Sequence, residues 1–163
     1  MTIADWVPFF SGELAAAAAL AGLLFVALSI NLSRILAVEG LPERAGVTLV
    51  ILFGIVIVST FGLIPDQPPR VFGVELVALG AVLTTFIYTL RAKVANSDAV
   101  RLSPAPAWLR ETGYFVTTIP YIAGGVLEIA GVPGALYCLA PVVVAAFAIA
   151  GLNAWVLLVE IIR

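Results

Sequence analysis

The sequence predicts an all-α protein, a polytopic membrane helical bundle of five transmembrane helices. Of its 163 residues, 63% are hydrophobic and only 11% are charged, whereas soluble domains are about half apolar and about a quarter charged. The apolar residues form runs long enough to cross a hydrocarbon core about 30 Å thick. Short segments rich in proline, glycine and charge separate these runs and break helices. We therefore expect one transmembrane domain over residues 1–163.

The first predicted helix covers residues 13–36. Ser11 is expected to cap it, because a serine hydroxyl accepts a hydrogen bond from a free N–H group at a helix start. After Glu13 the chain contains neither charge nor proline until a polar cluster near the far end of the helix. An apolar stretch of this length with polar groups at both ends predicts a membrane crossing. The far cluster consists of Ser29, Asn31, Ser33 and Arg34.

Small residues recur along one face of this first helix. Small side chains let helix backbones approach closely, and such packing drives helix association in lipid. We therefore expect this helix at the centre of the bundle or at an interface between subunits. Packing within the protomer is at least as compatible with the pattern as a subunit contact. The small residues are Ala15, Ala18, Ala19, Gly22, Ser29 and Ser33.

Four further helices follow along the chain. They are predicted at residues 43–64, 71–93, 109–130 and 135–162. The longest polar segment, residues 94–108, is predicted to be a cytoplasmic loop. The fourth helix is the least regular, because Pro120 follows Thr117 and Thr118 and frees a backbone carbonyl. A bent helix whose threonines satisfy that carbonyl fits better than a broken helix lining an aqueous path, although both stay open.

Basic residues predict the orientation of the five crossings. Cytoplasmic loops of membrane proteins contain an excess of lysine and arginine. Five crossings leave only Arg70 on one side and place the other basic residues together. We therefore expect the N-terminus outside and the C-terminus in the cytoplasm. The residues on the cytoplasmic side are Arg34, Arg44, Arg91, Lys93, Arg101, Arg110 and Arg163.

Three carboxylates form the first candidate site. Glu13, Glu75 and Glu128 are all predicted near the outer ends of their helices. A ring of acids at a pore mouth would concentrate cations, and a desolvated acid could bind a proton. Alternatively these acids simply mark the water boundary. At Glu13 and Glu75, both expected at helix starts, the helix dipole would then stabilise the charge.

Polar residues at the inner ends of the first and last helices form the second candidate site. Asn31 and Asn153 are expected at similar depth, with Arg34 and Glu160 slightly further toward the cytoplasm. If these helices are neighbours, Asn31 can pair with Asn153 and Arg34 with Glu160. Such pairs clamp helices together by about 0.6 to 2 kcal/mol. The cluster is interpreted as a structural clamp or as a gate at an inner pore mouth.

The composition argues against several functions. The chain has no histidine and one cysteine, Cys138, so it lacks a serine–histidine pair and a cysteine–histidine zinc site. The net charge of −2 gives no sign of a nucleic-acid partner. No glycine-rich phosphate loop is present. We expect no enzymatic activity, no cofactor and no metal site.

Both ends of the chain resemble one family of proteins. The run from Phe9 to Glu13, the segment 28–36 and the closing segment 153–160 resemble small bacterial multi-pass membrane proteins. Most of these are uncharacterised, and some are labelled modulators of a membrane protease. The resemblance implies a location in the bacterial inner membrane and no established activity.

Two functions remain as expectations. The first is a homo-oligomeric channel or small-ion pathway in which membrane lipid and an ion are the partners. Its pore or gate candidates are Ser29, Asn31, Ser33, Arg34, Asn153 and Glu160, with Glu13, Glu75 and Glu128 as the outer vestibule. The second is a non-enzymatic membrane partner that acts through helix packing and the cytoplasmic loop. Polar groups at both ends of the bundle favour the channel by a small margin.

Overall fold

The structure, a computed structural model, describes residues 3–37, 41–94 and 107–155. All regular secondary structure in these segments is helical. Short 3-10 helices at Ile3–Trp6 and Ala135–Cys138 precede the first and last α-helices. Residues 95–106 of the predicted cytoplasmic loop and Glu160 lie outside the described residues. The α-helices are α1 (Val7–Ile30), α2 (Leu32–Leu36), α3 (Leu41–Gly62), α4 (Pro69–Val94), α5 (Ala107–Ile129) and α6 (Leu139–Trp155).

The first helix begins well before its predicted start. α1 starts at Val7 instead of residue 13, and Pro8 lies in its first turn. Proline is tolerated there because the N–H group it lacks would have no partner inside the helix. Ser11 therefore lies within the helix and does not cap it. Glu13 in α1 and Glu75 in α4 each lie six residues, or about 9 Å, beyond the start of their helix, so the expectation that the helix dipole stabilises them there is wrong.

Asn31 divides the predicted first helix into α1 and α2. Its side-chain amide donates a hydrogen bond of 3.1 Å to the carbonyl oxygen of Ala27, four residues back. The backbone N–H of Asn31 donates to the same oxygen at 3.2 Å. A side chain that bonds a carbonyl of its own helix competes with the regular backbone ladder. α2 continues from this break for five residues, Leu32–Leu36.

α3 is the central helix of the bundle. It packs against α1, α4 and α6 and is the most buried of the long apolar helices that the structure describes, whereas α1 is the most exposed. The expectation that helix one occupies the centre of the protomer is therefore wrong. At Gly62 of α3, an added Cβ would lie 2.5 Å from the Phe10 ring of α1. At Gly54, it would lie 2.8 Å from a methyl group of Leu83 on α4.

Successive long helices run antiparallel, so the bundle has two distinct ends. α1, α4 and α6 begin at one end, here called the Trp6 end, and α3 finishes there beside Phe10. α3 begins at the opposite end, here called the Arg44 end, where Asn153 of α6 contacts Arg44. These two ends separate the candidate residues into two layers.

Glycines allow α4 and α5 to pack at close range. A Cβ at Gly125 of α5 would lie 2.6 Å from the carbonyl oxygen of Gly73 on α4 and 2.9 Å from the backbone nitrogen of Val77. One turn further along, a Cβ at Gly80 would lie 3.0 Å from the Cβ of Tyr121. This backbone-to-backbone approach makes α4 and α5 the most extensive helix pair among the described residues.

Four helical segments in the described part of the chain are long and apolar enough to cross a membrane. Large apolar side chains lie exposed on them, including Leu23 at 69% and Val144 at 70% of their surface. Contiguous exposed apolar surface of this kind needs a nonaqueous environment, so the protein is embedded in a membrane. The apolar part of α5, Phe115–Ile129, is shorter. The four segments are Ile3–Ile30, Leu41–Gly62, Pro69–Leu90 and Ala135–Trp155.

Candidate functional site

A closed ring of hydrogen bonds joins α3 to α6 at the Arg44 end. The Nε of Arg44 donates to the Oδ1 of Asn153 at 3.1 Å, and the Nδ2 of Asn153 donates to the Oγ1 of Thr48 at 2.7 Å. The hydroxyl of Thr48 donates in turn to the carbonyl oxygen of Arg44 at 3.1 Å. Asn153 is 7% exposed and Thr48 is fully buried. Both polar functions of the Asn153 amide are therefore satisfied inside the bundle.

This ring replaces the predicted pair between Asn31 and Asn153. Among the described residues, the Asn31 side chain bonds only the backbone of its own helix, so the expected pair with Asn153 does not form. The two asparagines lie at the same end, as depth alone predicts, but α6 turns Asn153 toward α3. Sequence reasoning counted Arg44 only as a topology signal and missed Thr48. Their spacing of four residues, which puts both on one helix face, was the available clue.

The remaining inner candidates lie on the surface of the protomer. Ser29, Ser33 and Arg34 are all exposed. The hydroxyl of Ser29 donates to the carbonyl oxygen of Phe25 at 2.8 Å, within its own helix. The proposed Arg34–Glu160 pair involves a residue outside the described part of the chain.

The three carboxylates at the Trp6 end do not converge. No three acidic, cysteine or histidine side chains within residues 3–37, 41–94 and 107–155 lie close enough to hold a metal ion. Glu75 accepts a hydrogen bond of 2.6 Å from Gln67, which lies in the turn before α4. Glu128 lines a cavity of about 210 Å³ beside Trp6 and the 131–135 turn. Each acid therefore has its own surroundings within the protomer.

Glu13 is the acid that points into the bundle. It is half-buried, and its Oε2 atom is fully buried without a hydrogen-bond partner in the described structure. The Oγ of Ser59 on α3, a residue only 1% exposed, is buried in the same unpaired state. Sequence reasoning missed Ser59, because a single serine in an apolar run gives no signal of a functional site.

The small-residue face of α1 points away from the protomer. All six of its predicted members are exposed: Ala15, Ala18, Ala19, Gly22, Ser29 and Ser33. A Cβ added at Gly22 would meet no atom within 4 Å. The opposite face, with Phe10, Ala17 and Leu24, is buried against the rest of the bundle. Packing within the protomer is thus made by the other face of the helix.

Helix α5 is continuous through Pro120, which excludes the broken helix considered from the sequence. Thr117 and Thr118 are both buried. Tyr121 follows on the same helix and is only 2% exposed. Its ring belongs to the apolar core that also contains Phe10. The residues around the proline therefore serve helix packing.

Comparison with known proteins gives no relative from which a function could be transferred. The chain matches no protein-family model, no curated protein and no solved structure at a significant level. The resemblance of its two ends to small bacterial multi-pass membrane proteins therefore stays a prediction.

Proposed function

We propose that the protein is a homo-oligomeric membrane protein whose subunits together form a small-ion pathway. The observation that supports it most is the outward direction of the small-residue face of α1. Small side chains gain little from contact with lipid, but they let a second helix approach closely. The hydroxyl group of Ser29 on the same face, and that of the exposed Ser33 on α2, would then lie at or near the symmetry axis of an oligomer.

The interior of one protomer offers a poor route for an ion. Between the Trp6 end and the Arg44 end, the contact of α1, α3 and α6 is filled by apolar side chains. Ala17, Ile55 and Ala146 are fully buried there. An ion that crossed this layer would lose its hydration without gaining polar ligands. A pathway between subunits avoids this layer, and closed symmetry is the common arrangement for such assemblies.

The proposal includes five crossings, an outside N-terminus and a location in the bacterial inner membrane. α5 supports the fifth crossing, because it is 23 residues long and packs antiparallel along α4 through Gly73, Gly80 and Gly125. The basic residues of the described helices support the orientation. The Arg44 end contains Arg34, Arg44, Arg91 and Lys93, whereas the Trp6 end contains Arg70. Reporter fusions at the two termini test this topology, and reporters found on one side would contradict it.

Two measurements test the proposed pathway. The mass of the protein–detergent complex, corrected for bound detergent, is expected to correspond to a symmetric oligomer. Proteoliposomes are expected to release a trapped ion faster than empty vesicles under an imposed gradient, and Ser29→Leu is expected to slow that release. A monomeric mass together with release equal to that of empty vesicles would exclude the pathway.

The exposed face of α1 also fits the second function, a membrane partner protein that packs against a different protein. A small-residue face does not require an identical helix opposite it. A monomer in detergent that is inert in vesicles favours this function. A stable oligomer with measurable flux favours the first.

A further inference from the structure

Two oxygen atoms that lack hydrogen-bond partners lie buried near the Trp6 end. They are the Oε2 of Glu13 on α1 and the Oγ of Ser59 on α3. Buried polar atoms in folded proteins are almost always paired with protein or with an ordered ligand or water. Two such atoms on facing helices can share one ligand.

The register of α1 and α3 places these two residues at the same level. Phe10 of α1 contacts the α3 backbone at Gly62, where an added Cβ would lie 2.5 Å from the ring. Glu13 follows Phe10 by three residues, and Ser59 precedes Gly62 by three. In antiparallel helices, residues three apart lie one turn further along the same contact face. The Glu13 carboxyl group and the Ser59 hydroxyl thus belong to one layer of the interface.

The apolar core continues on one side of this layer. Tyr121 of α5 lies in the same core cluster as Phe10. The oxygens of the layer are therefore the Glu13 carboxyl group and the Ser59 hydroxyl.

No basic side chain in the described structure forms an ion pair with Glu13. α3 has no ionisable residue between Arg44 and its end, and Arg44 lies fifteen residues, or about 22 Å, from Ser59. α6 has none over Leu139–Trp155. The other ionisable groups that the structure describes at this end are Asp5 before α1, Asp66 and Arg70 beside the turn before α4, Glu75 on α4, Glu128 on α5, and Tyr137 and Cys138 before α6.

The chemistry of these oxygens specifies the kind of ligand that suits them. A charged carboxylate inside a membrane protein needs a neutralising partner. One carboxylate balances one positive charge, and hard oxygen donors suit a proton or an alkali-metal ion. A divalent ion would need more oxygen ligands and additional acids, which the described residues do not bring together.

We propose that Glu13 and Ser59 form a binding site for one small monovalent cation inside each protomer. The site is distinct from the exposed face of α1 and does not depend on an oligomeric pathway. Its occupant is a proton or an alkali-metal ion, and both use the same oxygens. Binding would neutralise Glu13 within the α1–α3 contact.

The test is labelling by dicyclohexylcarbodiimide, which modifies protonated carboxyl groups in apolar surroundings. The full-length protein in detergent is treated over a range of pH in choline buffer, and then with added sodium, potassium or lithium chloride. Mass spectrometry compares modification at Glu13 with that at Glu43, a half-buried acid at the Arg44 end. The variants are Ser59→Ala, Ser59→Thr and, as a matched control, Ser29→Ala on the exposed surface.

Glu13 is expected to react faster than Glu43. Protection by one alkali-metal ion identifies that ion as the occupant, and labelling that responds only to pH identifies the proton. Ser59→Ala is expected to weaken the ion protection, or shift the pH response, by about tenfold, the effect of losing one hydrogen bond. Ser59→Thr and Ser29→Ala are expected to leave both the ion protection and the pH response unchanged. Equal reactivity of Glu13 and Glu43 at every pH, or an unaltered response in Ser59→Ala, would overturn the site. Neither readout requires ion flux or a particular oligomer.

Discussion

The backbone of Gly125 on α5 lies directly against the backbone of Gly73 on α4. A Cβ at Gly125 would lie 2.6 Å from the Gly73 carbonyl oxygen, and a Cβ at Gly73 would lie 2.8 Å from the Gly125 carbonyl oxygen. Both of these oxygens belong to helix backbone, which cannot move aside as the end of a flexible side chain could. The two glycines therefore set the distance between these helices.

Gly125→Ala is expected to lower the free energy of unfolding by about 1–3 kcal/mol, the usual cost of overpacking a tight contact. Unfolding of the purified protein in mixed detergent micelles measures this change. The matched control is Gly151→Ala, because a Cβ at Gly151 would meet no atom within 4 Å. That variant is expected to keep or slightly raise stability, since alanine favours a helix over glycine by up to about 1 kcal/mol. Equal stabilities of the two variants would contradict the close contact.

Asn153→Leu is expected to destabilise the protein by about 1–3 kcal/mol, because it leaves a buried hydroxyl and a guanidinium nitrogen without their partner in the α3–α6 ring. Thr48→Val removes the bond from Asn153 and the local bond to the Arg44 carbonyl oxygen, and it is expected to cost about 1 kcal/mol. Combining both substitutions should cost less than the sum of the two, because the residues share a bond. Strict additivity would show that the ring does not form.

Asn31→Leu is the matched control for the ring. Asn31 is also a buried asparagine at the Arg44 end, but its side chain bonds only Ala27 of its own helix. The expected change in unfolding free energy is within about 0.5 kcal/mol. A loss as large as that of Asn153→Leu would instead indicate a bond between helices at Asn31.

Gly22→Leu is expected to shift the protein from oligomer to monomer in detergent, measured by light scattering or analytical ultracentrifugation. The leucine fits the isolated protomer, because a Cβ at Gly22 meets no atom within 4 Å, but it would obstruct a helix packed on the small-residue face. Gly151→Leu, on the exposed surface of α6, should leave the mass unchanged. An unaltered mass in Gly22→Leu would place the subunit contact elsewhere.

Glu75→Gln is expected to lower the free energy of unfolding by about 1 kcal/mol, because the 2.6 Å bond from Gln67 loses its charged acceptor. Glu43→Gln, at a half-buried acid of the other end, serves as the control and should have a smaller effect. A larger loss of unfolding free energy in Glu43→Gln than in Glu75→Gln would mean that the Gln67–Glu75 bond does not hold the turn before α4 in place.

Helix positions were predictable from the sequence because apolar length alone specifies them. α3 and α4 begin at Leu41 and Pro69, two residues before the expected starts. The larger error, at α1, arose because Ser11 was interpreted as the helix cap, whereas the helix starts at Val7 with Pro8 in its first turn. Helix breaks within apolar runs are harder to predict, as the division at Asn31 illustrates.

Which helices pack against each other was not predictable, because lipid removes the difference in polarity between helix faces on which such predictions depend. In a soluble protein, polarity distinguishes the outer face of a helix from the inner one. Here both faces are apolar, and small residues occur inward at Gly73 and Gly125 but outward at Gly22. The carboxyl group of Glu13 was recognised, but Ser59 beside it could be found only once α1 and α3 were placed together.

The glycine contact between α4 and α5 bears on the order in which the protein assembles. The short apolar run of α5, Phe115–Ile129, gains less from lipid than the longer runs of its neighbours. In a chain synthesised from its N-terminus, α4 is made first and presents a groove at Gly73 and Gly80. α5 then has a partner surface as soon as it is made, so its packing in the bundle depends on a helix that is already there.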